Sequence, residues 1–287
     1  MRKITPLDGK PQAGGWLLSR IVACVFAPGR RTPRGSERVY TFEAMGTVFA
    51  GTSGWAYPSW KRGFYPRELG AAKFLNYYAT RLNSVEVNYT FLKPVTKPML
   101  TDWIGATPAD FVFAVKAPQA ITHFQRLRAA RRQTRKFLRS LEPLRAAGKL
   151  GPMLFQLPPN FKCDLARLEG FLPILPPGYR VAFEFRHASW FTEDVYAMLR
   201  GANAALCLAE SERLDTPEVH TADFFYLRLR KSNYKHAARR DLAHRIAAYS
   251  QRGDTFVYFK HEETPAGALH AEELLRLSRL ADFHREN

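Results

Sequence analysis

Short hydrophobic runs recur along the chain from residue 48 onward, and amphipathic patterns separate most of them. The runs are four to six residues long and rich in Val, Phe and Leu, which is typical of buried strands. They predict eight strands, at 48–52, 84–88, 111–116, 153–157, 181–185, 205–208, 225–230 and 256–259.

Helical periodicity fills most of the intervals between these runs. It predicts helices over 69–82, 126–144, 193–199, 237–249 and 266–280, and another that begins after the N-cap residue Asp164. The connection after 205–208 is the exception, because no convincing helical pattern precedes Phe225. Strand starts recur about every 30 residues, the length of a βαβ unit. Eight such units predict an α/β protein with a single (β/α)8 TIM-barrel-like domain.

An open, doubly wound sheet is the alternative fold. It would need a glycine-rich phosphate-binding turn after its first strand. The sequence Gly51-Thr52-Ser53-Gly54 lacks the G-x-G-x-x-G spacing of that turn. The barrel is therefore the favoured interpretation.

The first 44 residues differ from the rest of the chain. They hold eight basic and three acidic residues with four prolines and five glycines, and no strand or helix period persists. The composition predicts a poorly ordered basic extension over 1–44, before a barrel domain over 45–287. An upstream start chosen in error, with Met45 as the true initiator, is a second interpretation. A signal peptide is a third, although Arg20 breaks its apolar region.

The chain is strongly basic, with 43 Lys and Arg against 26 Asp and Glu and a formal charge of +17. Such an excess indicates an anionic partner, either a small molecule or nucleic acid. No run approaches the roughly 20 apolar residues of a membrane helix, so no membrane partner is expected. The cysteines Cys24, Cys163 and Cys207 are far apart, which predicts neither disulfides nor a zinc site and favours a cytoplasmic location. No protein partner is indicated.

Charged residues alternate with apolar ones at the ends of several predicted strands. In the fifth strand Ala182, Glu184 and Arg186 alternate with apolar neighbours, which predicts that the charged set points into the barrel. The same alternation places further polar residues there: Glu86, Asn88, Lys116, Gln156, Tyr226, Arg228, Arg230, Tyr258, Lys260 and Glu262. Active sites of this fold lie at this end of the barrel.

Cations outnumber carboxylates in this predicted mouth. Seven of its groups, Glu86, Glu184, Lys116, Arg186, Arg228, Arg230 and Lys260, sum to +3. The surplus leaves room for an anionic ligand such as a phosphate. The alternative is an ionic core that satisfies itself. Aromatic residues also follow the strands, namely Trp55, Tyr57, Trp60, Tyr89, Phe91 and Trp190. They would either stack on a sugar or a base of the ligand, or cap the barrel as packing residues.

Several motifs occur in an order that resembles a known family. They are Gly51-Thr52-Ser53-Gly54-Trp55, Trp60, Phe64-Tyr65-Pro66, Val85-Glu86-Val87-Asn88, Phe113-Ala114-Val115-Lys116-Ala117-Pro118, Ile121-Thr122-His123, Gln156-Leu157-Pro158-Pro159, Glu184-Phe185-Arg186-His187 and Ser189-Trp190. Together they resemble the YecE-like family, also called domain of unknown function 72, across residues 47–280. The resemblance implies a TIM-barrel-like fold and brings no settled activity. The chain departs from the family pattern at Tyr89-Thr90-Phe91-Leu92 and at Lys260-His261-Glu262-Glu263.

These residues suggest a hydrolase acting on a phosphate ester or a phosphorylated sugar, if the protein is an enzyme. Glu184 would be general acid or base with Glu86 as its partner. The predicted ligand-binding residues are Lys116, Arg186, Asn88, Gln156, Arg228, Lys260, Trp55, Trp190, His187 and Tyr258. The residues indicate no cofactor, apart from the divalent metal of the alternative below.

Two alternatives stay open. One is a metal-dependent phosphodiesterase of the endonuclease IV type, to which the family has been likened at the level of the fold. It would recruit a divalent metal at His187, Glu184, Glu210, His261 and Glu262, but no H-x-H or H-E-x-x-H spacing is present. The other is a non-catalytic barrel that binds nucleic acid through the basic segment 126–149.

Overall fold

The computed structural model describes residues 46–210, 214–231, 234–260 and 263–283, so the predicted extension over 1–44 lies outside the described residues. The strands are parallel in every pairing. They are β1 Val48–Thr52, β2 Ser84–Val87, β3 Val112–Lys116, β4 Leu150–Gln156, β5 Val181–Glu184, β6 Ala204–Leu206, β7 Leu208–Glu210, β8 Phe225–Leu229 and β9 Thr255–Phe259.

These strands form two sheets, in the orders β2-β3-β4-β5-β6 and β1-β9-β8-β7. The first seam between the sheets lies at Cys207, the single residue between β6 and β7. Its backbone N–H donates to the Phe183 carbonyl at 2.8 Å. The predicted sixth strand is therefore one interrupted strand that belongs to both sheets.

The second seam lies between β1 and β2, where side chains join the strands. The amide of Asn83 accepts a hydrogen bond from the Ala50 N–H at 2.9 Å and donates one to the Val48 carbonyl at 2.8 Å. The Tyr78 hydroxyl accepts from the Thr52 N–H at 2.8 Å and donates to the Ser84 carbonyl at 3.0 Å. With both seams joined, the strands close into the predicted TIM-barrel-like ring.

The helices are α1 Phe74–Arg81, α2 Tyr89–Leu92, α3 Lys97–Gly105, α4 Arg131–Ser140, α5 Glu142–Ala146, α6 Leu165–Phe171, α7 Glu193–Gly201, α8 His236–Ser250 and α9 Ala266–Phe283. Asp164 caps α6 as predicted, and its carboxylate accepts the Arg167 N–H at 3.1 Å. The short helices α2 and α3 were not predicted. Residues 214–224, the described part of the connection after β7, contain no helix, in agreement with the sequence.

The single helix predicted over 126–144 is wrong. Arg126, Leu127 and Ala129 have positive φ angles of 47°, 67° and 50°, which no helix interior accommodates. A π-helical turn at Ala120–Phe124 precedes the segment, which itself forms α4 and α5. Pro143 lies in the first turn of α5, where its missing N–H is tolerated. The helix predicted over 69–82 is shorter too, because a 3-10 turn at Ala71–Lys73 precedes α1.

The barrel interior has an apolar floor below its polar mouth. Small residues on β3, β5 and β6, namely Ala114, Ala182 and Ala205, leave space for the rings of Tyr226 and Tyr258. The next inward positions after Ala182 and Tyr226 are Glu184 and Arg228, both buried. Inward-facing residues are therefore small or aromatic at the floor and charged at the mouth, where the sequence predicts the charged residues.

Candidate functional site

Two buried glutamates mark the centre of the barrel mouth. Glu86 lies in β2 and is 0% exposed, and Glu184 ends β5 and is 1% exposed. A carboxylate without water must be paired or it loses its charge.

Arg228 of β8 joins the two glutamates. Its Nη1 donates to Glu184 Oε2 at 2.6 Å and its Nη2 to Glu86 Oε1 at 2.7 Å. Arg230 adds a second cation, since its Nη2 donates to both oxygens of Glu184 at 2.7 Å. We call Glu86, Glu184, Arg228 and Arg230 the central ion-pair network.

Three neutral side chains and one further arginine also contact the two glutamates. Gln156 donates to Glu184 Oε2 at 2.9 Å. Ser53 and Tyr226 each donate to Glu86 at 2.7 Å. The side chain of Arg186, 40% exposed, brings its Nε to 3.6 Å from Glu184 Oε1. Both carboxylates therefore have their hydrogen-bonding capacity used within the described residues.

The arginines hold the glutamates in their ionised form. Burial alone would raise the pKa of Glu184, but Arg228 and Arg230, with Gln156 and Arg186, outweigh it and bring the pKa to about 2. Burial likewise opposes the charge of Glu86, and Arg228, Tyr226 and Ser53 lower its pKa. A carboxyl group with so low a pKa is a poor proton donor near neutral pH.

Acid is expected to unfold the protein partly through this network. A carboxyl group whose pKa is lower in the folded state contributes stability above its unfolded pKa and loses it as pH falls toward the folded value. For Glu184 that range runs from about 4.5 down to about 2. The urea midpoint should fall steeply over this range, and Glu184→Gln should be less stable than wild type at pH 6 while the difference narrows by pH 3. A difference that stays constant with pH would contradict this assignment.

Lys116, the last residue of β3, is a cation outside the central ion-pair network. Its Nζ lies 4.0 Å from the centroid of the Phe91 ring and makes no hydrogen bond or ion pair with any described residue, whereas its backbone carbonyl accepts a hydrogen bond from the Thr90 hydroxyl. Burial, with Arg228 as the next cause, lowers its pKa to about 8. Lys116 is thus a half-buried amine beside a network in which two arginines and two glutamates already balance.

Further polar groups lie near this lysine, and His123 is one of them, with its Nδ1 2.9 Å from the Thr122 hydroxyl. His123 packs edge-on against Phe91, with ring centroids 4.9 Å apart, and burial and Lys116 lower its pKa. The buried atoms Asn88 Oδ1, Arg228 Nε and Arg230 Nε have no hydrogen-bond partner among the described residues. Buried polar atoms without partners are uncommon, and a bound ligand or an ordered water is one way to satisfy them.

A cavity of about 330 Å³ opens beside Asn88, at the ends of β1 and β2. Trp55 and Trp103 meet edge to face there, with ring centroids 5.2 Å apart. The lining residues are Gly54, Trp55, Ala56, Tyr57, Val87, Asn88, Tyr89, Met99 and Trp103. Two of the predicted ligand-binding residues, Asn88 and Trp55, therefore share one aromatic cavity.

Two predicted ligand-binding residues have no surface to offer a ligand. Trp190 is 0% exposed, stacks on Phe185 at 4.6 Å and donates its indole N–H to the Phe161 carbonyl. Tyr258 is 0% exposed, and its hydroxyl shares a hydrogen bond with Ser84. Both expectations are corrected, because Trp190 packs on the outer face of β5 and Tyr258 belongs to the barrel floor.

Two others lie at the edge of the mouth. His187 uses its Nδ1 locally, 2.9 Å from Ser189 Oγ. Lys260 is exposed and follows β9, with its backbone N–H donating to the Leu229 carbonyl.

The residues proposed for a metal do not come together in the described part of the chain. No group of three or more His, Cys, Asp or Glu residues there could hold a metal ion. Glu184 is engaged by arginines, and Glu210 is held by Arg245 and by the Tyr234 hydroxyl. His261 and Glu262 lie outside the described residues.

Sequence analysis missed the contacts of Ser53, Tyr226 and His123. Ser53 and His123 belong to motifs noted above, but nothing in their spacing shows what they touch. Tyr226 was placed inside the barrel by alternation, although its hydrogen bond to Glu86 required the closed ring.

The basic segment 126–149 divides into an exposed part and a buried part. The exposed cations of α4 are Arg131, Arg132, Arg135, Lys136 and Arg139. Lys149 does not share their face, since it is 4% exposed and its amine bonds to the carbonyls of Thr107 and Pro108. Arg145 pairs with Glu142 at 3.4 Å. The face available to a partner is therefore shorter than the sequence suggested.

Comparison with known proteins supports the resemblance noted from the motifs. A family model described as "Protein of unknown function DUF72" matches residues 49–286. The UPF0759 protein YecE of Escherichia coli O157:H7 is 31% identical over 178 residues, which cover 61% of either chain. The UPF0759 protein YunF of Bacillus subtilis is 30% identical over 162 residues, covering 52% of this chain and 54% of YunF. The matches thus span less than two thirds of these curated relatives.

Solved structures show the same fold. A DUF72 family protein from Thermotoga maritima superposes with a TM-score of 0.72 at 26% identity, covering 81% of this chain and 99% of the other. A DUF72 family protein from Enterococcus faecalis superposes with a TM-score of 0.65 at 18% identity, covering 83% and 98%. Among the residues that the structure describes, no helix is long and apolar enough to cross a membrane.

Proposed function

The chain belongs to the DUF72 family, and we propose that its barrel mouth binds a phosphorylated small molecule. The observation that carries this proposal is Lys116, a half-buried cation that no described carboxylate or carbonyl pairs. An anionic ligand would supply the missing partner.

The charge of the mouth supports a ligand of this sign. Lys116, Arg186, Arg228 and Arg230 face two glutamates, and both glutamates are already engaged by the arginines. Guanidinium groups bind phosphate with paired hydrogen bonds, and the Arg186 side chain, 40% exposed, is open to a ligand. The mouth therefore keeps a net positive charge, because these four cations outnumber the two glutamates.

The aromatic cavity supports a ligand with an organic part. Trp55 and Tyr89 line it together with the amide of Asn88. Sugars and nucleobases bind between aromatic faces and a few oriented polar groups. A sugar phosphate or a nucleotide combines the two kinds of contact.

We assign the two glutamates to positioning the arginines. Their contacts argue against an acid and base pair, since both glutamates are buried and held ionised. Hydrolysis of a phosphate ester with Glu184 and Glu86 in catalytic roles stays a prediction. A hydrolase at this site would need its proton donor elsewhere.

A thermal-shift panel tests the binding proposal. The full chain is heated with inorganic phosphate, sugar phosphates, nucleotides and the matching unphosphorylated sugars, each with and without a divalent metal. A ligand at a hundredfold its Kd adds about 2.7 kcal/mol to stability, enough for a shift of several degrees. We expect shifts with the phosphorylated compounds only, and smaller shifts in Arg186→Ala. Equal shifts with the unphosphorylated sugars, or none with any compound, would contradict the proposal.

A second function, nucleic-acid binding, is favoured by the exposed arginines of α4. Arg131, Arg132, Arg135 and Arg139 have no carboxylate partner among the described residues. Binding there would weaken steeply with salt, because each phosphate contact releases counterions. Replacing Arg132 and Arg135 with Gln should lower both the affinity for an oligonucleotide and its salt dependence, whereas Lys116→Met should change neither. Binding that ignores salt would exclude this function.

A further inference from the structure

Lys116 and Lys149 are both partly or fully withdrawn from water, and their surroundings are opposite. Lys149 is 4% exposed, and its amine lies within hydrogen-bond distance of the carbonyls of Ile104, Thr107 and Pro108 and of the Thr107 hydroxyl. Lys116 has only the face of Phe91 below its amine. Lys149 is a structural lysine, whereas the amine of Lys116 is available to react.

The groups around Lys116 favour its neutral form. The charged and titratable groups that act on it are Arg228 from β8, Arg230 just after β8, Glu86 from β2, Glu184 from β5, and His123 from the turn after β3. Both glutamates are already bound to arginines, so they compensate the lysine only in part. With a pKa of about 8, roughly one amine in four is neutral at pH 7.5, against about one in a thousand for an ordinary lysine.

We propose that Lys116 forms an imine with the carbonyl carbon of a phosphorylated aldehyde or ketone held in the mouth. This inference rests on the proposed anion binding and names the ligand class more closely. A neutral amine near a carbonyl in a desolvated site is a nucleophile of this kind.

The step balances without an oxidant or a reductant. The lone pair of the Lys116 amine forms the C–N bond, and the carbonyl oxygen takes up a proton to give a carbinolamine. A further proton exchange lets that oxygen leave as one water molecule, which breaks the C–O bond and forms the protonated imine. Overall, amine, carbonyl and one proton from solvent give the iminium ion and water. The Phe91 ring, which already faces the Lys116 nitrogen, would stabilise that cation.

Reductive trapping tests the proposal. The full chain is incubated with glycolaldehyde phosphate and sodium cyanoborohydride at pH 7.5, and the modified lysines are identified by peptide mass mapping. We expect Lys116 to be modified at least tenfold faster than the exposed Lys93 and Lys97, and Lys149 to stay unmodified. Inorganic phosphate should slow the reaction at Lys116 and leave Lys93 and Lys97 unaffected. Unphosphorylated glycolaldehyde should show a smaller preference for Lys116 than glycolaldehyde phosphate does, because it lacks the anion that the mouth would hold.

Phosphate binding by wild type, measured by calorimetry, separates this proposal from the binding proposal. Lys116→Arg keeps the positive charge but cannot form an imine, so it should lose the fast modification. Reaction of Lys116 no faster than that of Lys93 would overturn the imine, even where phosphate binding is intact. Fast reaction that phosphate does not slow would also overturn it as stated, because the aldehyde would then not occupy an anion site. The pH profile should level off near pH 8 for Lys116 and continue to rise for Lys93.

Discussion

Replacing Arg228 with methionine is expected to destabilise the fold by about 3–5 kcal/mol, the usual cost of removing one partner from a buried ion pair. Arg228 is 2% exposed and bonds to both glutamates at the centre of the mouth. In its absence Glu184 would keep Arg230, but Glu86 would keep only neutral donors, Ser53 and Tyr226. Urea unfolding at pH 7 measures the loss.

The matched control is Arg186→Met. Arg186 also lies near Glu184, at 3.6 Å, but its side chain is 40% exposed and water screens the pair. Exposed pairs contribute about 0–1 kcal/mol, so this variant should be nearly as stable as wild type. The loss in Arg228→Met should shrink at pH 3, where protonation removes the charge left on the glutamates. Equal losses in the two variants would contradict the burial argument.

Gly51→Ala is the second change with a large expected effect. A Cβ at Gly51 would lie 1.9 Å from the Ser84 carbonyl oxygen and 2.7 Å from the Tyr78 hydroxyl. The carbonyl belongs to β2 and accepts the Tyr78 hydroxyl, so it cannot move without opening the seam between β1 and β2. Overpacking in a core costs about 1–3 kcal/mol, and lost hydrogen bonds at the seam add about 1 kcal/mol each.

Circular dichroism during thermal unfolding would measure this effect, with Gly170→Ala as the control. Gly170 lies in α6, and a Cβ there meets nothing within 4 Å. Because alanine has the higher helix propensity, that variant should match or exceed wild type. A Gly51→Ala protein as stable as wild type would show that the two strands do not close as described.

The fold was predictable because strands and their inward faces leave a strong periodic signal. Alternation alone placed Glu86, Gln156, Glu184 and Arg228 in one mouth, since parallel strands bring their ends to one side of the barrel. The breaks were not predictable. The side-chain seam at Asn83 joins Ala50 and Val48, which are distant in the sequence, and no local pattern marks the positive φ of Leu127.

The candidate site was predictable in its location but not in its pairings. The sequence predicts which charged residues lie in the mouth. Only the closed ring shows that Arg228 bonds to both glutamates and that Lys116 has no carboxylate partner among the described residues. Trp190 shows that a motif can also suggest a ligand contact where the structure has packing. It follows a strand that carries charged residues, but its ring packs outward on Phe185, and a motif alone does not distinguish packing from binding.

Calorimetric titration of inorganic phosphate into wild type, Lys116→Met and Arg139→Met tests the central claim most directly. Lys116 lies in the mouth, and Arg139 is an exposed cation of α4 that serves as the control for net charge. The account predicts that Lys116→Met, while remaining folded, binds phosphate at least tenfold more weakly than wild type, a loss of about 1.4 kcal/mol or more. Arg139→Met should bind as wild type does. Equal affinity in wild type and Lys116→Met, or no binding by wild type, would contradict an anion site at this mouth.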